Sequence, residues 1–327
     1  MNFTQSIDKI PACLDTAVAL ASRTARAIGA DGWSGETIAF TGVGASLHSS
    51  EVAARQCRAR GIVAYAFSLD EMAEAGLALA DRVVILSASG RSTEALDLLD
   101  KLHGTRAVAV SVRADTPLGA AVEGVIETGN ALESSPSAPS FVSTFVATAI
   151  LADIIAGREA SDWSGLGERA GKLLAEAAGR AREQAARMAR CTSIDCAAPG
   201  LLYGVAGEVA LLLREAARVP AAAFGTRDYL HGPLESLEAG QGLITLGGAR
   251  EAQLARDMEE AGAAVWHVGS AGEALSHSVN LAASGHPDID ALMTMLPVEL
   301  FIAELSALHG HADAPFRYRQ KDTKRRD

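Results

Sequence analysis

Val83-Val84-Ile85-Leu86-Ser87-Ala88-Ser89-Gly90-Arg91-Ser92-Thr93 runs an apolar segment straight into a serine-rich turn. Its four leading apolar residues read as a buried parallel strand, and from Thr93 to Leu102 the apolar positions take helical spacing. The turn between them therefore stands at a helix N-terminus, where free backbone N–H groups and the helix dipole favour an anion. Ser87, Ser89, Ser92 and Thr93 add hydroxyl donors, and Gly90 lets the backbone come close to a ligand. No P-loop lysine is present, so a small phosphorylated metabolite fits this cradle better than a nucleoside triphosphate. Taken alone, the stretch also fits an ordinary serine-capped turn.

A second turn of the same kind favours the ligand reading. Thr37-Ile38-Ala39-Phe40-Thr41 reads as a strand, followed by Gly42-Val43-Gly44-Ala45-Ser46-Leu47-His48 and an alanine-rich helix to about Arg60. A dinucleotide fingerprint needs a third glycine near Leu47 and an acid about 20 residues further on. Leucine holds that third place, so a nicotinamide site is the weaker reading and an oxidoreductase ranks last. Two serine-bearing turns at the carboxyl ends of parallel strands suit a ligand in the crevice above the sheet.

The chain is long enough for two domains at 327 residues, and 49% of them are hydrophobic, as in a globular protein. A net charge of -11 with no basic face argues against nucleic acid as a partner. The one basic cluster is terminal: Arg317, Arg319, Lys321, Lys324, Arg325 and Arg326. Asp8 and Asp15 interrupt any signal-peptide core, so none is expected. The uncharged stretch from Ser134 to Ala152, closed by Asp153, opens as a Pro- and Ser-rich loop, and the remainder is too short to span a bilayer. It reads as a buried helix, and no membrane association is expected. Cys13, Cys57, Cys191 and Cys196 show neither CxxC pairing nor metal spacing, which suits reduced thiols in a cytoplasmic protein.

Strands near 37–41, 62–67, 82–87, 107–111 and 124–128 alternate with helices near 47–60, 92–103 and 141–156, after an N-terminal helical segment to about Ala30. This is the order of a doubly wound parallel sheet. A long helix near 166–190 follows. The second half repeats the theme with strands at 201–205, 242–246, 263–268 and 278–282 and helices at 208–218 and 290–308. The fold class expected is α/β, two tandem doubly wound parallel-sheet domains, residues 1–160 and 161–327.

Glu208 and Glu215 are seven residues apart, which puts both carboxylates on one face of a regular helix. Among Ala, Val and Leu, such a glutamate is a candidate desolvated general base. Pairing with Arg214 or Arg218 in a structural role is the alternative. Leu230-His231-Gly232-Pro233 places His231 on a loop or helix end, able to titrate near neutral pH. His309, His311 and Asp313 are candidate ligands, but nothing else completes a metal site.

Gly42–Ser46, Ser87–Ser92, and the pair Glu208–Glu215 with Leu230–Pro233 together resemble the sugar isomerase (SIS) family over almost the whole chain. The likeness is to its two-domain members, such as the isomerase half of glucosamine-6-phosphate synthase and the stand-alone amino-sugar phosphate deaminases and isomerases. It implies flavodoxin-like SIS domains and a sugar phosphate ligand, with no cofactor. Ser46, Ser87, Ser89 and Ser92 would bind the phosphate, with Glu208 in the substrate site. Glu215 would move a proton between C1 and C2, and His231 would open the ring from the neighbouring subunit, implying a homodimer. Lys321, in the lid-like tail from Arg317, would approach the substrate. The chain departs from the synthase at Leu212, where that enzyme has lysine, and at Ala88 and Arg91, where it has glutamine and glutamate. Asn2 stands where an amidotransferase would carry its nucleophilic cysteine, so glutamine-dependent synthesis is not expected. The implied activity is isomerisation or deamination of an amino-sugar phosphate; the alternatives are a non-catalytic phosphosugar sensor and a deglycase of a phosphorylated fructosamine.

Overall fold

The computed structural model describes residues 2–75, 79–102, 106–129, 136, 138–158, 163–270, 276–312, 314–318, 320 and 322–324. They form two compact units, each built on a five-stranded parallel sheet.

The first sheet contains β1 (Ile38–Gly42), β2 (Ala64–Ser68), β3 (Arg82–Leu86), β4 (Arg106–Ser111) and β5 (Val125–Glu127), in the order β2-β1-β3-β4-β5. The second contains β6 (Ile194–Ala198), β7 (Ala221–Gly225), β8 (Gly242–Gly247), β9 (Ala264–Gly269) and β10 (Ser278–Asn280), in the equivalent order β10-β9-β8-β6-β7. Both are the flavodoxin-like doubly wound arrangement that the strand–helix alternation predicts.

The helices are α1 (Phe3–Ile7), α2 (Ile10–Ala27), α3 (Ala45–Arg58), α4 (Leu69–Ala75), α5 (Thr93–Lys101), α6 (Pro117–Ala121), α7 (Pro139–Ile155), α8 (Leu166–Met188), α9 (Leu202–Leu212), α10 (Thr226–Tyr229), α11 (Ala249–Glu260) and α12 (Pro287–Leu308). Compactness follows the fold rather than chain order at the ends. Among the described residues, 2–8 group with the second sheet, whereas 317–318, 320 and 322–324 group with the first.

The central strands β1 and β3 are buried along their whole length, as an apolar strand flanked on both faces requires. Helix α7 is buried at every position and packs on α2 and α3. Its single charge, Asp153, pairs with Arg60 at 2.5 Å, with both side chains about as buried as the core around them. In the second unit α12 has the length and composition of a membrane span, and 78% of its apolar window is buried inside the protein. That burial is what a core helix of an α/β unit shows.

The second half differs locally from its sequence reading. Leu201–Val205 is not a strand; Leu202–Val205 forms the opening turn of α9, and the strand is Ile194–Ala198 just before it. A short apolar run cannot be told from a buried helix by periodicity. Pro199-Gly200 separates the two elements, and the strand sequence Ile-Asp-Cys-Ala-Ala carries only one branched residue. The same weakness hides β7, Ala-Ala-Ala-Phe-Gly.

Candidate functional site

In the first unit the chain leaves β1 outward to β2, then crosses back to β3 on the other side. The carboxyl ends of β1 and β3 therefore flank the switch point, where doubly wound sheets hold ligands. The two serine turns sit at those ends. Ser46 lies in the first turn of α3, behind Gly44 at φ 60°. A Cβ on Gly42 would stand 2.6 Å from that of Ser46, so only glycine permits this strand–helix approach.

In the β3–α5 turn, Ser87 and Ser92 are buried and Ser89 is half-buried. Ser92 is the N-cap of α5: its Oγ accepts from the Ala95 N–H and donates to Glu94. Gly90 has φ 61°, and a Cβ there would fall 2.3 Å from Thr116 Oγ1. The turn is also stitched to its neighbour strand, because Ser111 Oγ donates to the Ala88 carbonyl at 3.1 Å. Within the same unit the C-terminal segment crosses this turn. The Thr93 N–H donates to the Thr323 carbonyl at 3.2 Å, and Ser92 forms an antiparallel bridge with Lys324. Lys321, the lysine singled out by resemblance, lies outside the described residues.

The acidic constellation belongs to the second unit. Helix α9 does not run regularly through Glu215: after Leu212 it widens into a π turn, Leu213–Ala217, which carries that residue. Single π turns of this kind are frequent at functional sites. The turn ends at Arg218, at φ 57° the one described non-glycine residue with a positive φ. Burial pushes the Glu215 carboxyl up to about 7. Neither nearby arginine pairs with it among the described residues: Arg214 donates to the Ala221 carbonyl and Arg218 to that of Pro315. The structural alternative for this glutamate loses its expected partners.

Glu208 is 1% exposed, and its carboxyl acts electrostatically on Glu299, a fully buried acid on α12. Burial first, and the Glu208 carboxyl second, raise Glu299 well above the usual carboxylate range. Sequence reasoning missed Glu299, although a lone acid inside the apolar run Met295-Leu296-Pro297-Val298-Glu299-Leu300-Phe301 was a visible signal.

His231 is exposed, one residue beyond the C-cap of α10, with Gly232 and Pro233 ending the helix as their chemistry requires. Tyr229 anchors the turn from below, donating to Asp195 Oδ2 at 3.1 Å. Among the described residues no three potential metal ligands converge. The phosphate-type hydroxyls thus gather in one unit, and Glu208, Glu215 and His231 in the other.

No protein-family model and no curated protein sequence matches the chain. Solved structures match at full length. The C-terminal domain of glucosamine-fructose-6-phosphate aminotransferase from Francisella tularensis aligns at a TM-score of 0.79 and 16% identity, over 94% of this chain and 96% of that one. The chain has the double sugar isomerase fold. Glucosamine-6-phosphate deaminase from Thermotoga maritima shares it at a TM-score of 0.73 and 17% identity, covering 94% and 98% of the two chains. Tagatose-6-phosphate ketose/aldose isomerase from Escherichia coli does so at 0.76 and 13%, covering 98% and 97%. Identities this low establish the sugar isomerase architecture and leave the reaction to the side chains.

Proposed function

We propose that this chain is a phosphosugar enzyme that isomerises an aldose and a ketose, deaminates an amino-sugar phosphate of the glucosamine 6-phosphate type, or both. A homodimer in the cytoplasm is its proposed setting. The observation that carries this reading is Glu215: a carboxyl on a π turn, raised to about 7 by burial, sixteen positions before His231. A base poised near neutral pH can remove a proton from carbon and return it within one site. The hydroxyls of Ser46, Ser87, Ser89 and Ser92 take the phosphate, and Glu208 lies in the substrate site.

Glu215 as carboxylate removes the C2 proton, giving a cis-enediolate or, from a 2-amino sugar, its enolamine. Return of the proton to C1, with the proton of O2 or of the 2-amino group passing to O1, yields the ketose or the ketimine. Water adds to the ketimine and ammonia leaves, which completes deamination. His231, contributed by the neighbouring subunit, protonates the ring oxygen on opening, and Lys321 is the cation beside the developing oxyanion. No step calls for a redox cofactor.

The test is ammonia release from glucosamine 6-phosphate by the purified protein, with Glu215→Gln as control. Release by the wild type and a loss of about 10³-fold in the variant is expected, with phosphosugar binding retained. Equal turnover in both would sink the assignment of Glu215. A second reading, a non-catalytic phosphosugar sensor, is supported by Leu212, a buried leucine one turn before Glu215 where the synthase has lysine. Saturable stabilisation by sugar phosphates with no turnover of any would favour it. A free amino acid product from a phosphorylated fructosamine would instead favour the deglycase.

A further inference from the structure

The π turn that carries Glu215 is held from behind by the end of α12. Widening a helix and stopping it at a left-handed residue leaves terminal carbonyls without intrahelical partners. The Val219 N–H reaches back to the Leu213 carbonyl at 3.0 Å. The Ala216 carbonyl accepts from Ser306 Oγ at 2.9 Å. The Ala217 carbonyl faces His309 Nδ1 at 3.1 Å, while Nε2 of the same ring faces the Ala189 carbonyl, just past α8, at 2.9 Å. Both partners are carbonyl oxygens, which only accept. A neutral imidazole has a single N–H, so both bonds exist only when the ring is the doubly protonated cation.

The position suits a cation on independent grounds. The C-termini of α8 and of the π turn converge on the ring, and His309 is itself the C-cap of α12. Each contributes the negative end of a helix dipole. The charged and titratable groups at the ends of these elements are Arg187, Arg190 and Cys191 around Ala189, Arg214, Glu215 and Arg218 around Ala217, Glu304 near the end of α12, and His311 beyond it. Arg187 is paired with Glu259, Glu304 with Arg182, and Arg218 donates to the Pro315 carbonyl. The His311 ring stands edge-on to His309 at 6.4 Å between centroids.

We propose that His309 is the positioning residue for the catalytic glutamate: as imidazolium it clamps the Ala217 carbonyl, two residues after Glu215, to the end of α8. This rests on the reading of Glu215 as the base, and the tests separate the two. His309→Gln, which keeps a donor but loses the charge, should lower kcat about 10- to 100-fold with KM changed less than about twofold, the signature of a misplaced base. His309→Arg, whose planar fork can donate to both carbonyls, should restore most of the loss. Glu215→Gln combined with His309→Gln should be no slower than Glu215→Gln alone, because residues acting as one unit are not additive.

Two readouts do not depend on turnover. Nitrogen-15 NMR should show both His309 ring nitrogens protonated in the wild type at pH 7, and amide exchange at Arg218 and Val219 should quicken in His309→Gln. Ser306→Ala, which loosens the same turn without touching the ring, should quicken that exchange while leaving both ring protons in place. A ring nitrogen without its proton, unchanged exchange in His309→Gln, or His309→Arg as slow as His309→Gln would overturn the clamp. A wild type inactive on every substrate but showing the NMR and exchange results would overturn the enzyme reading and leave the clamp standing.

Discussion

The β3–α5 turn of the first sheet and the β8–α11 turn of the second occupy the same place in the same topology, yet their chemistry is opposite. The first presents Ser87, Ser89 and the N-cap Ser92 at a helix N-terminus. The second reads Gly247-Gly248-Ala249, and its helix N-terminus is already filled: Glu251 Oε2 accepts from the Gly248 N–H at 3.0 Å. A cavity of about 300 Å³ opens over it, lined by Leu201, Leu202, Leu281, Pro287 and Asp290, apolar with an acid at its edge. A phosphate would find donors above the first sheet and carboxylates above the second. The acids follow the same division. Among the described residues every carboxyl raised by burial, Asp195, Glu215 and Glu299, lies in the second unit. One fold used twice carries its serine turn in one half and its burial-raised carboxyls in the other.

The largest test of that division is its dependence on pH. Glu215 in the folded protein holds its proton up to about 7, against 4.5 for the ordinary carboxyl. Its raised value favours the folded state below pH 4.5, and that contribution is lost as pH climbs from 4.5 to 7. Glu215→Gln never has to ionise, so its stability relative to wild type should rise by about 3 kcal/mol across that window and then level off. Activity should move the other way, gaining a half-maximal limb near pH 7 as the carboxylate forms. Glu71 of the first unit is the contrast: Ser68 backbone and hydroxyl hydrogen bonds hold it below the usual range. Its contribution is present above the unfolded value and is lost on acidification, so Glu71→Gln should differ from wild type above pH 4.5 and converge on it below. Denaturant melts of both pairs from about pH 2 to pH 8 check the signs, and parallel trends would erase the contrast between the halves.

A smaller effect separates the glycines of the two turns. Gly90 combines φ 61° with Thr116 Oγ1 at 2.3 Å from a would-be Cβ, whereas a Cβ on Gly248 meets nothing closer than 4.0 Å. Gly90→Ala should cost about 2 kcal/mol and abolish tight phosphosugar binding. Gly248→Ala should cost less than about 1 kcal/mol and leave binding intact. Thermal melts with and without sugar phosphate distinguish them, and equal costs would mean that the serine turn is not a specially shaped cradle.

What could be read from sequence follows the same physics. β1 and β3 are apolar, bounded by glycine and serine, and buried on both faces, so strand, turn and helix start were all legible at Thr37–Ser46 and Val83–Thr93. β6 and β7 are alanine-rich strands that carry little β signal, and their helix α9 begins in a run apolar enough to pass for a strand. The spacing of Glu208 and Glu215 marked both acids, but not the π turn, because that widening depends on carbonyls met from Ser306 and His309 some ninety residues later. Glu299 showed in the sequence only as a lone acid in an apolar run, because its proton affinity arises from burial and from the Glu208 carboxyl. Local chemistry was legible; chemistry assembled across the sheet was not.

The finest test compares the two helix N-caps. Ser92 Oγ accepts from the Ala95 N–H at 3.4 Å, a long bond, so most of the serine's value in this reading lies with the ligand. Ser92→Ala should cost about 1 kcal/mol of stability and weaken sugar phosphate binding about tenfold, one hydrogen bond to a charged group. Glu251→Gln keeps an acceptor for the Gly248 N–H, so stability should change by less than about 0.5 kcal/mol and affinity not at all. Calorimetric titration of both variants with the same sugar phosphate measures each. Were Glu251→Gln to alter affinity and Ser92→Ala not, the anion would have to bind above the second sheet, and the roles of the two halves would be exchanged.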